Sequence, residues 1–264
     1  MPGTGKVRPY KFMKTRIILF ICFFVSYSTA IFAVETTLQQ QFQQGNEAYF
    51  ARDFPKAIQI YTDLENRGLK SGDLFYNLGN TYYRTGQVGK AVYYYTRALR
   101  YQPRDRDLNA NYRYVLSQRA DKIEEPLTTR VLKTLFFWMD LATLKEMLIL
   151  AVVFYVLFFV LLAFNIVRRR FVLTALLWVF GVLNLFLLPS AAMKFYQERV
   201  RTTAVVVAPK STVLSEPSAG AIKLFELHEG SLGHVTDREG DFIKIRLADG
   251  KRGWMARSEA AEIL

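Results

Sequence analysis

The chain has 264 residues, 51% of them hydrophobic and 15% aromatic, and a net charge of +12. The excess sits in residues 1–33, with five cations and no carboxylate, and in 127–203, with nine cations against three carboxylates; 34–126 (13 against 11) and 204–264 (8 against 9) are nearly balanced. Nucleic-acid binding needs a basic face on a soluble domain, so this distribution excludes it as the main task, and the lone Cys22 excludes a disulfide framework.

At the start, Lys6, Arg8, Lys11, Lys14 and Arg16 lead into the uncharged run Ile17–Val34, which carries the small residues Ser28, Ala30 and Ala33 near its end. A charged lead, an apolar stretch and small residues together make a secretory signal over 1–33. Cleavage after Ala30 or Ala33 and retention as an N-terminal anchor are both open. Either sends Glu35 onward across a membrane.

From 35 to 125 the chain repeats itself. A shift of 34 residues superposes Gly45-Asn46 on Gly79-Asn80, Tyr49 on Tyr83, Ala57 on Ala91, Ile58 on Val92 and Tyr61 on Tyr95, a period that marks stacked helix pairs. The second copy resembles the tetratricopeptide consensus at Phe75, Leu78, Gly79, Tyr82, Ala91, Tyr95, Ala98 and Pro103. The first departs at Gln41, Ala48 and Leu69. We place repeats at 38–71 and 72–105. Gly45, Ala57, Gly79 and Ala91 are small where helices cross closely, and Tyr95 fills space beside them. Because two repeats leave an apolar face open, 105–120 should cap the stack through Leu108, Tyr112, Val115 and Arg119.

Phe42, Asn46, Tyr49 and Phe50 of the first copy, with Tyr76, Asn77, Asn80 and Tyr83 of the second, are expected to line the concave groove. Two readings stand: the groove takes a protein or peptide partner, or it docks the chain's own next helix. Asn46 and Asn77 are spaced like the asparagines of a carboxylate clamp. Phe42, Asp107 and Asn111 stand where that clamp has basic residues, so capture of a C-terminal carboxylate is excluded.

Residues 127–144 mix Leu132, Leu135, Phe136 and Met139 with Arg130, Lys133 and Asp140, and Trp138 suits the headgroup region. An amphipathic helix at a membrane surface and a short helix packed on the repeats are the alternatives. Two uncharged runs follow, 147–167 and 171–193. As helices each would be about 31–35 Å long, enough for a hydrocarbon core of roughly 30 Å. Arg168, Arg169 and Arg170 lie between them, and the positive-inside rule puts that connection in the cytoplasm. The segments before and after the hairpin then share the far side.

Beyond the hairpin, 204–264 alternates apolar and polar residues in short runs bounded by Glu229-Gly230, Glu239-Gly240 and Asp249-Gly250, the pattern of β-hairpins. "LHEGS", "DFIKIRL" before "ADG", and Gly253-Trp254 resemble the bacterial SH3-like family, which implies a small all-β barrel. Trp254 is then a core residue or, alternatively, part of a ligand face. His228 and His234 lack a neighbouring nucleophile frame or metal-ligand spacing, and no phosphate-binding glycine loop occurs. No catalytic residues, metal or cofactor are therefore expected.

The fold class is thus a multidomain membrane protein: a helical repeat domain, a two-helix transmembrane hairpin and a small SH3-like barrel. The order of signal, repeats, amphipathic stretch, arginine-linked spans and SH3-like tail resembles BatE-type proteins of the Bacteroides aerotolerance system. The resemblance implies a scaffold on the periplasmic side of a bacterial inner membrane, with membrane-anchored von Willebrand factor A proteins as partners. An envelope anchor whose SH3-like tail grips peptidoglycan is the alternative.

Overall fold

The computed structural model describes residues 37–124 and 126–263. The signal-like segment and Cys22 lie outside them. The chain divides into two compact units between Leu69 and Lys70, so the boundary falls between the two repeats.

In the first unit, helix α1 (37–50) is followed by α2 (Phe54–Asn66). Asp53 caps α2 by accepting the Lys56 backbone N–H at 3.2 Å, and Pro55 occupies the first turn, where its missing donor costs nothing. Ala57, Tyr61 and Leu64 of α2 are fully buried. A Cβ on Gly45 would lie 2.4 Å from Tyr61 Cε1, so only glycine fits opposite that ring. The turn between the helices needs a left-handed residue. Arg52 supplies it here at φ 61°, and Gly86, 34 positions later, supplies it in the second repeat at φ 75°.

The second unit begins with α3 (Gly72–Arg84), capped by Ser71, and α4 (Val88–Tyr101). Leu74, Phe75, Leu78, Ala91, Val92, Tyr95 and Ala98 form the buried seam between them. A Cβ on Gly79 would stand 2.6 Å from Tyr95 Cδ1, repeating the Gly45–Tyr61 arrangement. Asp105 then caps α5 (Arg106–Ser117) by accepting the Leu108 N–H at 2.7 Å. Leu108 and Val115 are buried, as expected of a capping helix, which ends at Ser117 rather than 120.

The expected single helix over 127–144 is broken into α6 (Leu127–Leu135) and α7 (Trp138–Leu141) by a turn at Phe136-Phe137. The break lets Trp138 Nε1 donate to Ser190 Oγ at 3.3 Å and brings the Met139 carbonyl to Lys194 Nζ. Trp138, Met139 and Ala142 pack there on Met147, Ala151 and Ala191. The segment thus rests on the base of the hairpin.

Helices α8 (Leu144–Val167) and α9 (Phe171–Phe195) contain the expected runs, and one π turn extends α9 through Tyr196–Val200. A Thr143–Glu146 capping box starts α8. Both helices are long and apolar enough to cross a membrane, and only 11% and 6% of their most apolar stretches are buried.

The C-terminal segment forms seven antiparallel strands: β1 (Thr203–Val206), β2 (Lys210–Leu214), β3 (Lys223–His228), β4 (Leu232–Glu239), β5 (Phe242–Arg246), β6 (Arg252–Ala256) and β7 (Ala260–Ile263). Their order is β3-β2-β6-β5-β4-β1-β7. The expected barrel is not closed: β3 and β7 are edges, and among the described residues no ladder joins them. Closure requires a continuous register around the ring; among the described residues β7 pairs only with β1 and β3 pairs only with β2, so the outer edges of both stay without a ladder. The three predicted turns do form, with Gly230, Gly240 and Gly250 all at positive φ. Val206, Val213, Leu227, Ile243, Ile245 and Met255 supply one continuous core.

Candidate functional site

Most of the expected groove residues make side-chain contacts within their own unit. In the first, Asn46 Oδ1 accepts the Tyr61 hydroxyl at 2.7 Å and its amide donates to Gln43 at 3.3 Å. Phe42 packs 5.8 Å from the Tyr61 ring, and Tyr49 sits between Phe50 and Phe54. Phe50 itself is 81% exposed at the end of α1.

In the second unit the same glycine–asparagine–tyrosine arrangement recurs. Asn80 Oδ1 accepts the Tyr95 hydroxyl at 2.6 Å, as Asn46 does that of Tyr61. The chain's own helix then enters. Asn111 on α5 donates its amide to Asn80 Oδ1 at 3.1 Å and to Tyr76 Oη at 3.0 Å. Tyr83 meets Tyr114 edge-on at 5.9 Å, and the hydrogen bond between their hydroxyls raises Tyr83 above the ordinary phenol range. The Asn77 carbonyl accepts the Thr81 hydroxyl at 2.6 Å, a contact internal to α3. Asn80 and Tyr76 are therefore engaged by α5, while Tyr114, 55% exposed, carries the aromatic surface outward.

A second set of contacts, invisible to sequence periodicity, joins α4 and the exit from α5 to the sheet. Gly89 donates its backbone N–H to Glu229 Oε2 at 3.0 Å, and a Cβ there would lie 2.5 Å from the Val206 carbonyl oxygen. Gly230, at φ 81°, abuts Val92 and Arg119. Asp121, just past α5, accepts three hydrogen bonds: His228 N–H at 2.6 Å, Ser231 Oγ at 2.6 Å and His228 Nδ1 at 2.9 Å. Partial burial favours protonation of Asp121, but the His228 backbone, the Ser231 hydroxyl and the His228 ring outweigh it and hold the carboxyl below its usual range. This trio is no acyl-transfer site, because the serine donates to the carboxylate and not to an imidazole. It is a latch between segments 107 and 110 positions apart. No local signal announced it; only the small residues Gly89 and Gly230 hint at a close approach.

Trp254 is 6% exposed, opposite Leu214 and Lys244 in the sheet, with Lys244 Nζ 5.3 Å from its ring centroid. Its neighbour Met255 belongs to the core, so Trp254 shares the opposite face of the sheet with Lys244, where the ring meets that cation on one side. Half-buried His234 lies on β4, where burial and then Arg201, Arg246 and Lys133 lower it to about 4. Among the described residues no group of three histidine, cysteine or carboxylate side chains could hold a metal.

The tetratricopeptide repeat family model matches residues 72–105, which are α3, α4 and the turn that follows. Comparison with curated proteins gives no match. Among solved structures the chain is similar to an NlpC/P60 family protein from Bacillus cereus ATCC 10987, with 14% identity and a TM-score of 0.20. That likeness covers 26% of this chain and 23% of the other, and at this level it carries no argument. The second copy thus matches a tetratricopeptide repeat, a type of repeat that suggests a scaffold for protein–protein interaction.

Proposed function

We propose that this chain is a membrane-anchored adaptor. Its repeat segment binds a protein or peptide partner, and α8 and α9 hold it at a bacterial inner membrane with both soluble segments on the periplasmic side. The observation that carries the reading is the pairing of a tetratricopeptide repeat with two long helices whose apolar faces are almost wholly uncovered. Leaving so much apolar surface in water is strongly unfavourable, whereas lipid removes the penalty. Arg168, Arg169 and Arg170 between the helices support the orientation.

Partner contact is assigned to the aromatic side chains that packing leaves exposed, Phe50 and Tyr114, with Phe42, Tyr49, Asn77 and Tyr83 around them in their respective units. The module order favours membrane-anchored von Willebrand factor A proteins as partners, within an envelope assembly of the aerotolerance type. No catalytic role is assigned.

Partner recovery from solubilised membranes tests the reading. Phe50→Ser and Tyr114→Ser should each reduce recovery while leaving the melting temperature nearly unchanged. Unchanged recovery in both, together with retention on purified peptidoglycan sacculi, would move the function to the sheet and make the chain an envelope anchor.

A further inference from the structure

Helix α6 is amphipathic, yet none of its residues is buried. Leu127, Val131, Leu132 and Leu135 stand exposed along it, at spacings that put them on one side. Between α6–α7 and the last turns of α9 lies a cavity of about 530 Å³, walled by Leu132, Phe136 and Met139 on one side and by Leu185, Pro189 and Met193 on the other. The walls are held in place, since Trp138 Nε1 donates to Ser190 Oγ at 3.3 Å and Lys194 Nζ donates to the Met139 carbonyl. A second apolar hollow, of about 470 Å³, lies between α8 and α9, where Phe158 and Leu162 face Trp178 and Gly181. Leu185 lines both.

The two hollows therefore make one track. Trp178, Gly181, Leu185, Pro189 and Met193 follow one another at three or four residues, so they share a face of α9. From Met193 down to Gly181 the track runs about 18 Å at 1.5 Å per residue, and one leaflet of a 30 Å hydrocarbon core is roughly 15 Å deep. Its depth is also marked by polarity: Lys194 ends the uncharged run, and Gln197 lines the cavity one turn past Met193. Leu185, Phe186 and Met193 are exposed, so the track is continuous with the apolar surface that α9 turns outward. Lys133 and Asp140 in the lining offset each other, so it offers no net charge by which to select a headgroup. An apolar hollow of this kind does not suit water, and left empty it forgoes the contacts its lining could make.

We infer that this track holds one acyl chain of a membrane phospholipid, with the polar head beside Thr129 and Gln197, and that the chain supplies the cover α6 lacks. This rests on the membrane reading above and deepens it. The lipid is taken by its chain and not by its charge, which makes the inference distinguishable from general attraction to an anionic surface.

The full chain in detergent is given dioleoylphosphatidylcholine or dioleoylphosphatidylglycerol, and native mass spectrometry counts the lipids retained as collisional activation rises. One lipid should outlast the rest, alike for both headgroups. Leu132→Trp fills the upper part of the track and Gly181→Phe the lower, and each should cut retention of that lipid roughly tenfold. A Cβ on Gly181 meets Phe158 only at 3.5 Å, an ordinary contact; should that variant still melt early, Leu132→Trp, at an exposed position, carries the test. Val179→Phe, also exposed on α9 but outside the track, should leave retention intact. Absence of a lasting lipid, equal loss in the control, or a strong preference for the anionic lipid overturns the site. A lipid-free mass of two copies that disappears in the filled variants makes a second copy the occupant and overturns the lipid. Flotation with neutral vesicles separates the two claims: a chain that floats but keeps no lasting lipid refutes only this site, and one that does not float removes both.

Discussion

Gly79→Leu places a side chain where even its first carbon does not fit. The Cβ would sit 2.6 Å from Tyr95 Cδ1, about 0.9 Å short of a normal carbon–carbon contact near 3.5 Å. Tyr95 cannot retreat easily, because it is 1% exposed, its hydroxyl is bonded to Asn80 at 2.6 Å, and its ring lies 6.1 Å from Tyr76. Overpacking costs about 1–3 kcal/mol and here belongs at the upper end, while replacing a helical glycine returns at most about 1 kcal/mol. The net loss is about 2 kcal/mol, or roughly 4–8 °C in melting for a unit of this size. Thermal unfolding of the detergent-solubilised full chain, followed by circular dichroism, reads it. Tyr95→Val should recover part of the loss when combined with Gly79→Leu, giving a coupling of the sign expected for neighbours. A variant that melts at or above the parent, or a double variant in which the two effects simply add, would refute the crossing.

Arg52→Gly should stabilise the first unit by about 1 kcal/mol, since it removes a left-handed non-glycine residue; unchanged hydrogen exchange in 37–66 would argue against this. Gly89→Ala should loosen the sheet from α4, because its Cβ would meet the Val206 carbonyl at 2.5 Å, and faster proteolysis of the 118–124 exit is the readout. His234, depressed to about 4 by burial and nearby cations, is neutral when folded and charges more readily when unfolded. Its contribution is therefore complete above its unfolded value near 6.5 and is lost as pH falls toward about 4. His234→Gln should flatten that part of the stability profile, and an unaltered slope would place the titration elsewhere. Asp121, held low by its three donors, contributes above its unfolded value near 3.9 and loses that contribution as pH falls below it, so Asp121→Asn should remove this acid-limb loss.

How much could be read from the residues alone depended on distance along the chain. The 34-residue period, the two apolar runs and the glycine turns are local, and each became the element it implied: Gly79 opposite Tyr95, α8 and α9, and positive φ at Gly230, Gly240 and Gly250. The barrel did not follow, because closure depends on a ladder between the edge strands β3 and β7, and no single strand's pattern encodes such a pairing. The groove was legible as a set of side chains but not in its use. Asn111 looked only like a failed clamp position, yet it reaches Tyr76 and Asn80 from α5. Least legible was the latch at Asp121, whose partners are more than a hundred residues away. The sheet is consequently built onto the second repeat, where the residue pattern suggested an independent module.

Site-specific photocrosslinking in intact membranes tests the adaptor claim most directly, with the reactive group introduced at Phe50 or at Tyr114 in the full chain and, as a control, at Lys251. The account predicts a discrete adduct with a membrane-anchored protein from Phe50 and Tyr114 and none from Lys251. Absence of any adduct from the two aromatic positions, or the same adducts from the control, would contradict it.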